Sequence, residues 1–365
     1  MKTEVQSNNP HFKNAFFYLI EQANQELLLG PYSVTQKTKR PPSHNMHDYF
    51  SLARYYWPNP FDPKDPYIRK DCETNPEILT SSYDYHAKNR FVRASILLSL
   101  AYYLTDDEAY AKKAICLLKT WFLDPSFRMN PHLQFAQTIP GKTNDNPFGI
   151  IEGHIFPFVF EASYFLQNSP FWYELEGIEE WAKKYLDWLL TSPQGKKEQK
   201  TLNNHASWYD FQTIYFALYT KQETLAFDLL KNRTYPKFKS HFLSDGSLPK
   251  ELIRKKGIYY SLFNLQAFFY TALLAQKIGI DLWHIEEKEK PILQKGLDFL
   301  LPKVSQEEDS IELYPLLLIG SSIYNSSSYF FYYEQLEDQI WHYDETTRQL
   351  SFKILKLLYP KAFFH

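Results

Sequence analysis

Cysteine is scarce: Cys72 and Cys116 are the only two in 365 residues. Neither belongs to a CxxC pair, so the fold rests neither on a disulfide framework nor on a cysteine-based zinc site. A basic excess is also missing. The formal net charge is −2 and the pI about 6.6, which argues against a nucleic-acid partner, since such proteins carry a strong positive surplus. No run approaches the roughly 20 apolar residues of a membrane span. The opening "MKTEVQSNNPHFKNAFFYLI" has no apolar stretch of signal-peptide type after its lysine. As written it reads as cytoplasmic, and as periplasmic or secreted if a leader has been removed. Catalytic signatures are missing as well. There is no GxSxG elbow and no HExxH. "PGKTN" at 140 to 144 imitates the end of a phosphate-binding loop, but Ala136 stands where the loop needs its first glycine. His44 and His47 have only Asp48 as an acidic neighbour, so they read as structural and no metal site is assigned.

Aromatic residues, in contrast, are abundant: 28 Tyr, 29 Phe and 8 Trp make up 18% of the chain. This exceeds what core filling needs, and Tyr and Trp suit sugar rings and interfaces as well as cores. Apolar residues recur at helical spacing in many segments, with almost no strand-like alternation. Helices are expected near 11–28, 84–104, 107–122, 151–167, 171–191, 204–219, 222–235, 258–278, 282–300, 310–325 and 345–358. "LTDDEAYAKKAICLLKTWFLDP" reads as the second arm of a helical hairpin, with acidic residues in its first turn. Repeated hairpins without a fixed-length repeat fit an α/α toroid better than a solenoid. Two proline-rich stretches, 30–76 and 124–149, fit no helix. They are rich in Tyr, Trp, His, Gln and Asn, and read as ordered loops packed over a site. No composition shift divides the chain, so residues 1–365 read as a single domain.

Two polar segments carry the chemistry. "TLNNHASWYDFQTIYFALY" at 201–219 opens a long aromatic helix with Asn203, Asn204 and His205. One asparagine suffices as an N-cap. Three polar residues suggest a helix N-terminus that also holds something negative. "SDGSLPKELIRKKGIYYSLFNLQAFFY" at 244–270 runs through Arg254, Lys255 and Lys256 into a second aromatic helix. Lys255 and Lys256 read as a solvated charge run. Arg254 offers a planar fork for a carboxylate, and Tyr260 lies close enough in sequence for positive charge to favour its phenolate. Together these residues fit β-elimination on a uronic acid polymer. Such an enzyme removes the C5 proton next to the C6 carboxylate, neutralises that carboxylate, and protonates the departing O4. Asn204, His205 and Arg254 are the candidates for neutralisation, and Tyr260 for base and then acid.

"NNHASWYD", "LPKELIRKKGIYYSLFNL", "WFLDPSFRMNPHLQFAQTIPG" and "HDYFSLARYYWPNP" together resemble blocks of the alginate lyase superfamily of polysaccharide lyases, over roughly residues 45 to 300. The resemblance implies an all-α fold, an incomplete (α/α)n toroid of about five to seven hairpins with long loops over a central cleft. It implies a site built from an Asn-His pair, an arginine and a tyrosine, carried here by Asn204, His205, Arg254 and Tyr260. Tyr259, next in sequence, stays open as the alternative tyrosine. Pro147 and Phe148 stand where the family usually has Gly-Arg. The resemblance also gives the loops a task. Tyr49, Tyr55, Tyr56 and Trp57 would offer stacking surfaces, Asn130, Gln134 and Gln137 would bond sugar hydroxyls, and Trp208 and Tyr259 would complete the binding set. The implied partner is an anionic polysaccharide or oligosaccharide such as mannuronate-rich alginate or glucuronan, with no cofactor, nucleic acid or membrane; the oligomeric state stays open. One rival is a glycoside hydrolase, which needs two carboxyls across the scissile bond, with Glu152, Asp210 and Glu251 available. The other is a non-catalytic carbohydrate-binding protein.

Overall fold

The acidic punctuation at 105–108 produces the expected hairpin. A computed structural model describes residues 10–62, 64–143, 146–287, 290–304, 308–341 and 350–358. In it, helix α1 spans Pro10–Leu27, α2 Tyr85–Thr105 and α3 Glu108–Phe122. Asp106 ends α2 in the left-handed conformation, φ 58°, which Asp tolerates better than most residues. Asp107 caps α3 by accepting the Ala109 N–H at 2.9 Å, and Glu108 lies in its first turn. The two helices then pack along each other.

The described residues form two compact units. One comprises residues 19–198 with 350; the other comprises 10–18, 199–341 and 351–358. In the first unit α4 (Phe156–Ser163), α5 (Ile178–Thr191) and the short α6 (Pro193–Glu198) follow the hairpin. Its core is largely aromatic. Phe91 and Trp121 stack at 4.5 Å with planes 4° apart, and Trp181 lies against Phe122, Phe160 and Tyr185. Much of the aromatic surplus is therefore consumed by the interior: Trp121, Trp181 and Trp208 are all buried.

The proline-rich stretches are tied to each other by hydrogen bonds. Strand β1 (Phe50–Leu52) pairs in parallel with β4 (Phe135–Thr138), with Phe50 opposite Phe135, while β2 (Tyr56–Pro58) pairs antiparallel with β3 (Tyr67–Arg69). Phe50, Leu52 and Phe135 cluster with Ile78, Tyr83 and Tyr85 as a small core beneath them. Lys37, fully buried, fixes the first stretch. Its ammonium meets the Asp84 carboxylate at 3.0 Å and bonds the carbonyls of Val34 and Met46 at 2.5 and 2.7 Å.

In the second unit the order is α7 (Asn204–Tyr219), α8 (Glu223–Leu229), α9 (Tyr235–His241), α10 (Pro249–Leu252), α11 (Gly257–Lys277), α12 (Ile292–Leu300), α13 (Tyr314–Ile323), α14 (Ser327–Ile340) and α15 (Leu355–Leu358). A π-helical turn, Leu230–Thr234, joins α8 to α9. Helices α7 and α11 lie side by side and carry the residues singled out above. Several expected helices are shorter or broken. The 151–167 segment has 3₁₀ turns on either side of α4, and 282–300 is helical only from Ile292. Helix α14 was not expected, and of the expected 345–358 helix residues 345–349 lie outside the described residues. Among the described residues no helix is long and apolar enough to cross a membrane.

Candidate active site

The N-terminus of α7 does hold an anion, and it is the chain's own. Asn203 caps the helix, its side-chain oxygen accepting the His205 N–H at 3.3 Å. Asn204, the first helical residue, donates its backbone N–H to Glu251 Oε1 at 2.5 Å. Its side-chain Nδ2 reaches both Glu251 oxygens, at 3.0 Å each. Asn264 on α11 donates to the same Oε1 at 2.9 Å, and Ser207 on α7 bonds Asn264 Oδ1 at 2.5 Å. Burial raises the Glu251 pKa, and the bonds from Asn204 and the charges of His205 and Arg254 pull it back only in part. The expectation that the backbone N–H groups here await an external anion is corrected accordingly: Glu251 already occupies the place.

Close approach of α10 and α11 puts Arg254 beside Tyr260. Gly257 begins α11, and a Cβ there would lie 2.8 Å from Leu252 backbone atoms, so only glycine lets the chain turn this tightly. Arg254 sits in that turn, its N–H bonded to the Glu251 carbonyl at 2.9 Å. Its guanidinium carbon lies 4.0 Å from the centre of the Tyr260 ring, within cation–π range. Tyr260 is 8% exposed. The half-buried Tyr259 meets it edge-on at 5.3 Å and runs nearly parallel to Phe263 at 6.3 Å. Trp208 is 2% exposed, packed against Phe211, Phe263 and Tyr270. Phe263 thus touches both Trp208 and Tyr259, and at this burial the Trp208 ring offers no face to a sugar. The second unit thus gathers Asn204, His205 and Arg254 around Glu251, and Arg254 onto Tyr260.

The first unit places its predicted binding residues unevenly. Tyr49 is wholly buried with its hydroxyl donating to Glu152 Oε2 at 2.7 Å, so it is a core residue and not a stacking surface. Ser51 donates to the same oxygen at 2.8 Å and accepts the Gln137 N–H at 2.8 Å. Gln137 takes a left-handed backbone, φ 49°, uncommon for a residue with a side chain and a frequent mark of functional loops. Asn130 is committed internally, its amide donating to Asp48 Oδ1 at 2.6 Å. Burial raises Asp48, but hydrogen bonds from His132, Asn130 and Ser43 outweigh it and bring the pKa to about 2. Gln134 is exposed, and Tyr55 and Trp57 are half-buried. Trp57 donates its indole N–H to the Glu73 carbonyl at 2.9 Å and carries Lys70 over its ring at 5.0 Å.

Sequence reasoning passed over the cations near Tyr85. Arg54 bonds the Tyr85 hydroxyl, Lys88 lies 4.9 Å from the same ring, and Lys88 also donates to the Glu152 carbonyl at 2.8 Å. Burial takes the Lys88 pKa down to about 8. Burial, then the Lys88 and Arg54 charges, takes His154 down to about 3 and keeps it neutral. Arg54 stood within a quoted motif beside Tyr55; Lys88 and His154 are isolated in sequence and gave no signal. The carboxyls proposed for a hydrolase are all spent on internal partners. Tyr49 and Ser51 bond Glu152, Lys237 pairs with Asp210 at 2.6 Å, and Asn204 and Asn264 hold Glu251. Among the described residues no group of three or more His, Cys, Asp or Glu could hold a metal ion, and His47 bonds the Arg128 carbonyl at 2.7 Å.

Comparison with known proteins gives a consistent answer. The sequence model described as alginate lyase matches residues 33–311. The crystal structure of an alginate lyase from Bacteroides ovatus is 30% identical, with a TM-score of 0.88, covering 99% of this chain and 96% of that one. Alginate lyase A1-III from Sphingomonas species A1 is 15% identical, TM-score 0.50, covering 86% and 87%. A tyrosine-to-phenylalanine variant of A1-III complexed with a tetrasaccharide is 14% identical, TM-score 0.51, covering 87% of each. These two share the fold alone. No curated protein matched the sequence. Matched over most of its length by the family model and along nearly all of it by a solved relative, the chain belongs to the alginate lyase family, and is a polysaccharide lyase of the all-helical α/α toroid class.

Proposed function

We propose that this lyase cleaves a 1,4-linked polyuronate, mannuronate-rich alginate or glucuronan, by β-elimination, and leaves an unsaturated uronate at the new end. Tyr260 takes the C5 proton and returns it to the departing O4. The negative charge that spreads from C5 into the C6 carboxylate is met by Arg254 and His205, with Asn204 beside them. The observation that carries this reading is the guanidinium of Arg254 over the ring of Tyr260 at 4.0 Å. It puts a permanent positive charge beside the phenol that would move the proton, where the charge of the transition state also develops. The tetrasaccharide bound to the A1-III variant agrees with an oligosaccharide substrate. Tyr55, Trp57, Gln134 and Gln137 are the proposed sugar contacts. Tyr49, Asn130 and Trp208 leave that set because they are enclosed or internally bonded, and Tyr259 stays as the accessible ring beside Tyr260.

A panel of polyuronates followed by far-ultraviolet absorbance tests the proposal. New absorbance of a conjugated uronate supports elimination. Reducing ends without it mean hydrolysis, and binding with neither product means a non-catalytic sugar-binding protein.

A further inference from the structure

A groove of about 490 Å³ opens where α13 ends and α14 begins, and none of the residues assigned to the lyase site lines it. That volume falls within the roughly 300–1,000 Å³ of small-molecule sites. The turn between the two helices forms one side. Asn325 takes a left-handed backbone there, φ 47°, and Ser326 caps α14 by accepting the Tyr329 N–H at 3.4 Å. Ser321 is spent on the Leu318 carbonyl at 3.2 Å, whereas Ser322, Asn325 and Ser327 line the groove as exposed hydroxyls and an exposed amide. Phe12 of α1 and Phe330 and Tyr333 of α14 supply aromatic surface, the last two with ring centres 6.2 Å apart. Rings beside hydroxyl and amide groups suit a sugar, which offers an apolar ring face and hydrogen-bonding groups at its edge.

The lining also has a sign. Among the described residues Lys356 of α15 is its one charged member, with Nζ 5.0 Å from the centre of the Phe12 ring and 5.9 Å from that of Tyr333. Lys356 pairs with Glu337, but Glu337 is enclosed at 4% exposure and does not line the groove. The His11 ring lies 3.9 Å from the same carboxylate. An ammonium has three donors, so one bond to Glu337 leaves two, and a ligand entering the groove meets the cation and not the acid. We propose that this groove is a second, non-catalytic binding site for a uronate oligosaccharide, with a sugar ring against Phe330, its hydroxyls on Ser322, Asn325 and Ser327, and a carboxylate on Lys356. The identity of the sugar rests on the lyase reading. A polymer held at this second foothold stays at high effective concentration near the enzyme between cleavages, which a short oligomer does not need.

Occupancy can be read inside the groove itself. Leu318 lines it, and in full-length Tyr260→Phe protein carrying ¹³C-labelled leucine methyls its signals are assigned by their loss in Leu318→Met. They should shift on titration with a tetramannuronate or tetraglucuronate. Ser322 and Phe330 are exposed, so changes there leave the core in place. Phe330→Ala should weaken this binding about 2- to 10-fold, the worth of one aromatic contact. Ser322→Asp, which adds an anion to the lining, should weaken it about fivefold at low salt. A neutral β-1,4-glucan tetramer should bind more weakly than the uronates and be indifferent to Ser322→Asp. With the catalytic tyrosine restored, Phe330→Ala should raise KM for long polyuronate while kcat, and both constants on the tetramer, stay within about twofold. Leu318 signals that millimolar uronate does not move, neutral glucan bound as tightly as uronate, or a Phe330→Ala enzyme with normal KM on the polymer each overturn the proposal. So does a dimer that forms with rising protein concentration, shifts the Leu318 signals and is lost in Phe330→Ala, since a second copy of the chain then fills the groove. If uronate shifts the Leu318 signals while wild type gives no unsaturated product from any polyuronate, the groove stands and the lyase reading falls.

Discussion

Replacing Tyr260 by phenylalanine separates a chemical role from a structural one by a wide margin. The substitution removes a single hydroxyl. The edge-on contact with Tyr259 at 5.3 Å and the Arg254 contact at 4.0 Å both involve the ring and remain. At 8% exposure the residue is mostly enclosed, so the structural cost is that of one hydrogen bond, about 1 kcal/mol. In a chain this long, that lowers the thermal midpoint by no more than about 2–4 °C. If Tyr260 serves as both base and acid, the loss in rate exceeds the roughly 10²- to 10⁴-fold of a single proton-transfer role. That corresponds to a barrier raised by more than about 3 to 5 kcal/mol, several times the stability change. Initial rates by far-ultraviolet absorbance and thermal midpoints should be measured on the same preparations, with Tyr259→Phe beside them. A normal rate in Tyr260→Phe with an inactive Tyr259→Phe would transfer the role to Tyr259, and normal rates in both would refute the tyrosine mechanism.

Arg254→Ala should lower kcat far more than it raises KM, because the carboxylate's need for positive charge is greatest in the enolate-like transition state; a raised KM with unchanged kcat removes Arg254 from the catalytic set. Lys37→Met should destabilise the protein by about 3–5 kcal/mol at neutral pH, since it leaves the buried Asp84 without its ion partner. Burial, opposed by Lys37, raises the Asp84 pKa from 3.8 to about 7. Its favourable contribution is therefore fully present below about pH 4 and lost as the pH rises through 7, and the Lys37→Met deficit should widen from acid to neutral pH in denaturant titrations. Gly149→Ala puts a Cβ 2.2 Å from the Ala136 carbonyl oxygen, so β4 must shift; a loss of about 1–3 kcal/mol should show in the same titrations.

Long helices with capping signals were readable because their information is local. The expected 84–104, 107–122, 204–219 and 258–278 end within a residue or so of Tyr85–Thr105, Glu108–Phe122, Asn204–Tyr219 and Gly257–Lys277. Helix α14, SSYFFYYEQLEDQI, escaped notice because its aromatic run conceals the period: Phe330, Phe331 and Tyr332 are all exposed while Tyr329 and Tyr333 are buried. Asn204, His205, Arg254 and Tyr260 stood out as polar residues at the heads of aromatic helices. The orientation of Asn204 did not, because it is set by Glu251, 47 residues away. Tyr49 and Trp208 read as sugar platforms for a related reason: a Tyr or Trp in a loop and one in a core look alike until their neighbours are known. Lys88, isolated in sequence, takes its meaning from Glu152, 64 residues on.

The parallel pairing of β1 with β4 matters to anyone who would graft specificity from one lyase to another. Phe50 and Phe135 are register partners, and Gln137 takes its place by bonding Ser51. A segment transplanted into 124–149 alone would arrive without the strand that sets its register, and a slip of one residue turns every side chain to the opposite face. The two proline-rich stretches are thus one unit of exchange. A donor must supply both, and a library that diversifies only one of them samples mostly misregistered chains.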